Sequence, residues 1–302
     1  MERKDHMDLF GAAALIAFAL HLAFNQVVVK VTAGGFNPVF SAGLRSAGAV
    51  VVLLIWMKLR GVPMQIPRRA WLGGILSGLF FAFEFMCLFI ALDISTVSRV
   101  SVIFYTMPVW LAILAHFLFP GEGLTRLKVL GLVMAMAGVA IALLDRDAAG
   151  ASWTGDLLAL ASALCWAGIV LCVRITPLSE VPPALQLMFQ VAISAPILLL
   201  IAPLFGPLIR GIEPVHIAGL LFQIIAVASL GFLAWFWLMS IYPASSVASF
   251  SFLSPVFSVI LGWLLLSENV AASVWGALVL VAAGIYLINR KPRAKKLVFP
   301  GG

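Results

Sequence analysis

IFYTMPVW, residues 103–110, places Pro108 in the middle of an apolar run long enough to span a bilayer. Proline has no amide hydrogen, so the carbonyl of Phe104 loses its helical partner, at a cost of about 3 kcal/mol in a helix interior. FSFLSPVF, residues 250–257, repeats the pattern with Pro255, which frees the carbonyl of Ser251. In transmembrane helices such breaks are tolerated where neighbours or water rescue the freed carbonyl, and unwound backbone is accepted where it lines a cavity. The two prolines are therefore read as hinges beside one central cavity, each letting half of its helix swing while the other half stays packed.

The rest of the chain agrees with a membrane setting. Of 302 residues, 63% are hydrophobic and 10% charged, and the mean hydropathy is +1.14. Soluble domains carry about 25% charged residues. Ten apolar runs of spanning length are legible at 8–29, 38–57, 71–91, 95–118, 126–144, 153–173, 183–204, 214–240, 243–266 and 271–289. The expected fold is an all-α polytopic membrane protein with ten transmembrane helices and loops too short for a soluble domain. The first apolar run is too long for a cleaved signal and has no A-x-A site, so it is read as retained.

Charge sets the orientation. Arg3, Lys4, Lys58, Arg60, Arg68, Arg69, Arg126, Lys128, Arg174 and the basic tail Arg290, Lys291, Arg293, Lys295 and Lys296 fall on one side of this topology. The other side keeps little beyond Lys30, Arg146 and Arg210. The positive-inside rule then puts both termini in the cytoplasm. It also accounts for the net charge of +7 without nucleic acid as a partner. Cys87, Cys165 and Cys172 all lie within spans, where packing is their expected role rather than a disulfide framework.

The two halves are related. Gly11, Ala19, Leu20, Ala23, Val29 and Lys30 match Gly155, Ala163, Leu164, Ala167, Val173 and Arg174 at an offset of 144. Ser98, Pro108, Val109, Ile113 and Leu114 match Ser245, Pro255, Val256, Ile260 and Leu261 at 147; Glu122, Ala137 and Gly138 match Glu268, Ala283 and Gly284 at 146. The expected units are residues 8–147 and 152–290, followed by the basic tail 291–302. Each holds five spans, an odd number, so the second is inverted relative to the first. Inverted repeats about a midplane site are the architecture of secondary transporters.

With Pro108, Glu122, Gly131 and Gly138 in one half and Pro255, Glu268, Gly276 and Gly284 in the other, the chain resembles the EamA-type members of the drug/metabolite transporter superfamily. Within it, the YddG-like exporters of aromatic amino acids are the subgroup it looks most like. The resemblance covers residues 8–290 and includes Arg45 of SAGLRSAG, whose repeat counterpart is Gln190. It implies a central cavity among the first four helices of each repeat, with the fifth of each at the periphery. It also implies export of amino acids or other metabolites across a bacterial inner membrane by alternating access. No cofactor is expected; the partners are a small-molecule substrate and the lipid bilayer. The sequence leaves the oligomeric state open.

Ionisable residues at bilayer depth are expensive and point to function with a named partner. His21, Arg45 and Glu84 reach similar depths on the first three spans, so they are candidates to meet. Two readings stand side by side: recognition of a zwitterion or gating of the outer mouth, with His21 able to carry a proton, or a self-neutralising ion pair that ties helices together. Inversion maps His21 to Cys165, Arg45 to Gln190 and Glu84 roughly to Gly231, which makes the cavity asymmetric. Asn25 and Gln26 are read as interfacial, whereas Gln186 and Gln190, one turn apart, are read as facing the cavity. Tyr105 and Trp166 lie deep enough to want a polar partner on the cavity; Phe83, Trp110, Phe250 and Ser251 are further wall candidates. The serines of PASSVASFSFLSP and the GILSG stretch at 74–78 suit close helix packing.

No Walker A, H-E-x-x-H or G-x-S-x-G pattern occurs, so ATP-driven transport and familiar hydrolase chemistry lack support. A channel would need a charged ring or a filter-like loop. An intramembrane enzyme with His21 and Glu84 as acid and base is disfavoured, because one such pair without a nucleophile is thin support; a non-enzymatic carrier is expected. Nucleosides and drugs remain alternative cargoes, and coupling to protons remains open against facilitated diffusion.

Overall fold

A computed structural model describes residues 8–120, 123–145, 152–242 and 250–289. Glu122, Arg146, Ser245, Ser246, Ser249, Arg290 and the basic residues of both termini lie outside these ranges. The described chain is helical without strands, as its composition demands, because in hydrocarbon a helix satisfies its own backbone. Its elements are α1 (Leu9–Thr32), α2 (Pro38–Arg60), α3 (Trp71–Ile94), α4 (Val97–Phe104), α5 (Met107–Leu118), α6 (Arg126–Leu144), α7 (Trp153–Ile175), α8 (Pro183–Ile201), α9 (Pro214–Phe222), α10 (Phe232–Ile241), α11 (Leu253–Leu266) and α12 (Ala272–Asn289). A π-helical stretch, Gln223–Gly231, joins α9 to α10 into one long span.

Nine spans among the described residues are long and apolar enough to cross a membrane, and the shorter α11 begins at Leu253, after three residues that follow the undescribed segment 243–249. Local chemistry fixes many of the ends. Asp8, Asn37, Thr96, Thr125 and Ser152 accept hydrogen bonds from the first-turn amides of α1, α2, α4, α6 and α7. Gly61 closes α2 at a φ of 63°, a left-handed conformation that glycine adopts without strain.

The fourth span is not the single kinked helix that Pro108 suggests. It is two helices, with a break at Tyr105 and Thr106 one step before the proline, so that Pro108 occupies the first turn of α5, where its missing amide has no helical bond to lose. Thr106 stabilises the break: its hydroxyl donates to the Ile103 carbonyl at 2.6 Å and accepts from the Trp110 indole at 3.2 Å. Around Pro255 the chain makes tight turns, Leu253 N to Phe250 O at 3.0 Å and Ser254 N to Ser251 O at 3.4 Å, so the carbonyl freed by the proline finds a nearer amide.

The helices of the two halves interleave. α3 lies along α7 and α8, α2 along α8, and α1 along α11, while α4 packs between α7 and α11 and α5 lies against α7. α6 and α12 pack on each other at very short range: a Cβ at Gly131 would lie 2.7 Å from the Gly284 carbonyl, and one at Gly284 would lie 2.5 Å from that of Gly131. GILSG packs as its small residues imply, with Gly74 under Phe189 and Gly78 under Ile193. The three cysteines are free and buried.

Even parity puts the start of α1 and the finish of α12 at one end of the bundle, here the terminal end, and the α1–α2 connection at the far end. Polar groups lace the far end together. Lys30 donates to the carbonyls of Asp93 and Ser95 at 2.9 and 2.8 Å. Arg210 binds both carboxylate oxygens of Asp93 at 2.7 and 2.9 Å and the Ala33 carbonyl at 3.2 Å. The Asn37 amide group donates to the Phe205 carbonyl at 2.9 Å.

Candidate functional site

A cavity of about 420 Å³ lies between the halves. Its wall includes α1, α2, α3, α4, α5, α7, α8, the π-helical stretch, α10 and residues 250–254, and neither α6 nor α12 contributes. It runs from Asn25, Gln26 and Tyr105 toward Arg174, Gln186 and Met239 near the terminal end.

Arg45, Glu84, Tyr105, Trp166, Gln190, Phe250 and Ser251 are brought together in this wall. Arg45 and Glu84 are each 2% exposed. Among the described residues no ion pair or hydrogen bond joins them: Arg45 Nη1 and Glu84 Oε2 are both buried without a hydrogen-bond partner. The guanidinium instead sits over the Phe85 ring, 4.0 Å from its centroid, with Phe89 at 5.6 Å. Cation–π contact holds the cation without neutralising it. Arg45 and Glu84 thus act on each other electrostatically without a direct ion pair or hydrogen bond.

A second polar layer lies beside the first. The Tyr105 hydroxyl is grouped with the Gln26, Ser254 and Ser258 side chains, while Asn25 Oδ1 is buried without a hydrogen-bond partner. Gln190 is engaged, donating to the Ser77 hydroxyl at 3.1 Å, and Gln186 donates to the Leu178 and Val181 carbonyls at 3.1 and 2.7 Å. Around these groups the wall is apolar and rich in aromatics, including Phe81, Phe104, Trp166, Phe232, Trp235 and Phe236. Small-ligand sites share this make-up: an apolar pocket with a few convergent polar atoms.

Three expected wall residues stand elsewhere. His21 faces the π-helical stretch, with Nε2 3.1 Å from the Ala226 carbonyl and the Phe222 ring at 5.3 Å, so it does not meet Arg45 and Glu84. Helical rotation explains this, since depth alone does not fix the face a side chain takes. Phe83 is 48% exposed and lines an outward-facing recess of about 570 Å³ built from apolar side chains of α3, α7 and α8. Trp110 braces the helix break through Thr106.

Asn25 and Gln26 correct the reading in the opposite direction. They are 7% and 3% exposed in the cavity wall rather than interfacial. α1 continues to Thr32, past the end of the apolar run at residue 29, and so carries them about 9 to 10 Å below its far end.

Sequence reading also missed Arg99, which lies buried in α4 and binds Asp156 of α7 through two bonds of 2.7 and 2.9 Å, with a further bond to the Ala142 carbonyl. An arginine within the apolar run TVSRVSVIF was the available signal. Its partner is an acidic residue in the first turn of α7, where the helix dipole also favours it.

Comparison with known proteins places this architecture. The model of the EamA-like transporter family matches residues 9–144 and again residues 153–290. The chain is 29% identical to the uncharacterized transporter YvbV of Bacillus subtilis, covering 94% of this chain and 93% of that one. It is 26% identical to the uncharacterized inner membrane transporter YedA of Escherichia coli, over 97% and 96% of the two chains. It is 28% identical to a probable amino-acid metabolite efflux pump of Salmonella typhimurium, over 95% of each. A crystal structure at 22% identity superimposes with a TM-score of 0.65 over 92% of this chain and 97% of that one, which extends the likeness to the fold.

Proposed function

The chain belongs to the EamA-like transporter family and is a multi-pass inner-membrane transporter, and from that premise we propose that it exports amino acids by alternating access. The observation that carries this reading is that Arg45 and Glu84, though electrostatic neighbours, form no direct hydrogen bond or ion pair. Two opposite charges buried in one cavity wall without touching each other leave a hydrogen-bonding group of each unused. Such groups are costly unless a ligand or water meets them. A zwitterion brings a carboxylate for the arginine and an ammonium for the glutamate, and the aromatic wall suits an apolar side chain. The efflux-pump relative lends support to the same class.

In this proposal both termini are cytoplasmic, on the evidence of the basic loops, and the far end is periplasmic. A cavity wall reaching the exposed Arg174, beneath a laced far end, then corresponds to the state that loads substrate from the cytoplasm. Pro108 and Pro255 sit where α5 and α11 begin, beside that cavity, and act as the hinges of the exchange.

The test is counterflow of radiolabelled amino acids in proteoliposomes, with and without a pH gradient, beside nucleosides and cationic drugs. Saturable counterflow of an amino acid, lost in Arg45→Met and Glu84→Gln at equal protein, is the expected result. Counterflow of only nucleosides or drugs would overturn the amino-acid reading, and absence of counterflow would favour a channel. An effect of the gradient on uptake would decide between proton coupling and facilitated diffusion.

A further inference from the structure

The span Pro214–Ile241 differs from its inverted counterpart, α3. The core window of the counterpart span, Arg68–Ile94, is 61% buried inside the protein, and that of Pro214–Ile241 is 28% buried. The counterpart is regular α-helix from Trp71 to Ile94, whereas this span is π-helical over nine residues, Gln223–Gly231. A π-helical stretch is rare, is frequently found at functional sites, and its wider turn shifts the direction of the side chains that follow it. Val227, Gly231 and Phe232 of this region are part of the cavity wall.

The stretch packs against α2, where Ile224 lies over Gly48, and takes its hydrogen bonds to other helices from α1. Gln223 donates from Nε2 to the Thr32 hydroxyl at 2.9 Å, and His21 Nε2 lies 3.1 Å from the Ala226 carbonyl oxygen. A carbonyl only accepts, so this His21 nitrogen carries the proton. Within the stretch, Ser229 donates to the Ile224 carbonyl at 2.8 Å. The His21 contact meets the cavity wall at a single glycine: a Cβ at Gly231 would lie 2.8 Å from the Ala226 carbonyl oxygen and 3.4 Å from His21 Nε2. Where the first repeat carries Glu84 in the wall, the second carries a glycine near the matching position, with a backbone carbonyl beside it held from behind.

We propose that His21 is a positioning residue of the transport cavity: from α1 it holds the Ala226 carbonyl, and so fixes the π-helical stretch that turns Val227 and Gly231 to the cavity. It does so without touching substrate, which accounts for an ionisable residue at this depth that the cavity wall does not include.

The test uses the full chain in lipid nanodiscs. Backbone amide exchange across residues 223–231 rises about tenfold in His21→Leu, as loss of one buried hydrogen bond implies. His21→Gln, whose amide can donate in the same place, stays within about twofold of wild type. Gly231→Ala, which crowds the same carbonyl, matches His21→Leu, and the double variant goes no further because both remove one contact. Wild-type exchange in His21→Leu, or effects that multiply in the double variant, would overturn the proposal.

A second readout separates positioning from mere stability. In proteoliposomes the half-saturating concentration of L-phenylalanine rises at least about fivefold in His21→Leu and is restored by His21→Gln, whereas loss of folded protein alone lowers only the maximal rate. An unchanged half-saturation would overturn the positioning role. If the wild type carries no phenylalanine, the amino-acid reading falls in its aromatic form, and the exchange measurement alone decides for or against His21.

Discussion

Glu268 caps a helix of the opposite repeat. Its carboxylate, in the connection after α11, accepts from the Val97 and Ser98 amides at 2.6 and 3.0 Å and from the Ser98 hydroxyl at 2.6 Å. The start of α4 is thus held by a negative charge at the positive end of a helix, supplied by the other half of the molecule at the far end. Gly262 makes room for it, since a Cβ there would lie 2.6 Å from Glu268 Oε2 and 2.9 Å from Ser98 Oγ. In the proposed alternating-access exchange, this cap between the halves is one of the contacts that would have to open at the far end.

Glu268→Gln keeps one acceptor but loses the charge and a bond, so it is expected to lower stability by about 1 kcal/mol, in the range of a lost helix cap. Gly262→Ala forces the carboxylate aside and is expected to have a similar effect. Thermal unfolding in detergent checks both. The double variant should fall well short of the sum, because each change removes the same cap.

Arg99 and Asp156 make the opposite kind of contact, an ion pair at 1% and 0% side-chain exposure. Breaking such a pair leaves one charge buried and costs about 3 to 5 kcal/mol, whereas replacing both members by apolar residues can be neutral. Arg99→Leu and Asp156→Leu are therefore each expected to reduce folded protein strongly, and the double variant to recover most of it. Fluorescence size-exclusion profiles of the three variants at equal expression would show the pattern. Three equal losses would mean that the pair does more than neutralise itself.

The contrast between these contacts and the cavity shows what periodicity and charge counting can reach. Spans, parity and the repeat were legible because each rests on a run of residues, where a single misread position changes little. The burial of Asn25 and Gln26 was not, because three further residues of α1 decide it. The face of His21 was equally hidden: depth follows from counting along a helix, but rotation depends on the π-helical stretch it meets, and QIIAVASLG carries no sequence mark of its wider turn. Phe83 and Phe85 lie two residues apart on α3, and only packing distinguishes the one on the outer recess from the one beneath Arg45.

The spaced glycines of the fifth and tenth spans separate in the same way. Gly131, Gly138 and Gly284 approach backbone carbonyls of the facing helix within 2.5 to 2.8 Å of where a Cβ would be, whereas nothing lies within 4 Å of that position at Gly276. Gly131→Ala is expected to push α6 and α12 apart and destabilise by about 1 to 3 kcal/mol, as overpacking does. Gly276→Ala adds helix propensity and nothing else, and is expected to be neutral or stabilising by up to about 1 kcal/mol. Melting temperatures of the two variants, compared in one detergent, should move in opposite directions or differ by several degrees.

Pro108 provides the sharpest test of the helix break. Because the break precedes the proline at Tyr105 and Thr106, Pro108→Ala removes the residue that forbids continuation but leaves the Thr106 contacts to Ile103 and Trp110 in place. Alanine also restores an amide able to reach the Phe104 carbonyl, so the continuous helix becomes accessible. The expected result is a protein at least as stable as wild type, with substrate affinity within about threefold and counterflow slowed about tenfold. Thr106→Val in the same background should slow it further, since the remaining hydroxyl contact that favours the break is then gone. A wild-type counterflow rate in Pro108→Ala would reduce the proline to a packing feature, with the break then set by Thr106 and its neighbours.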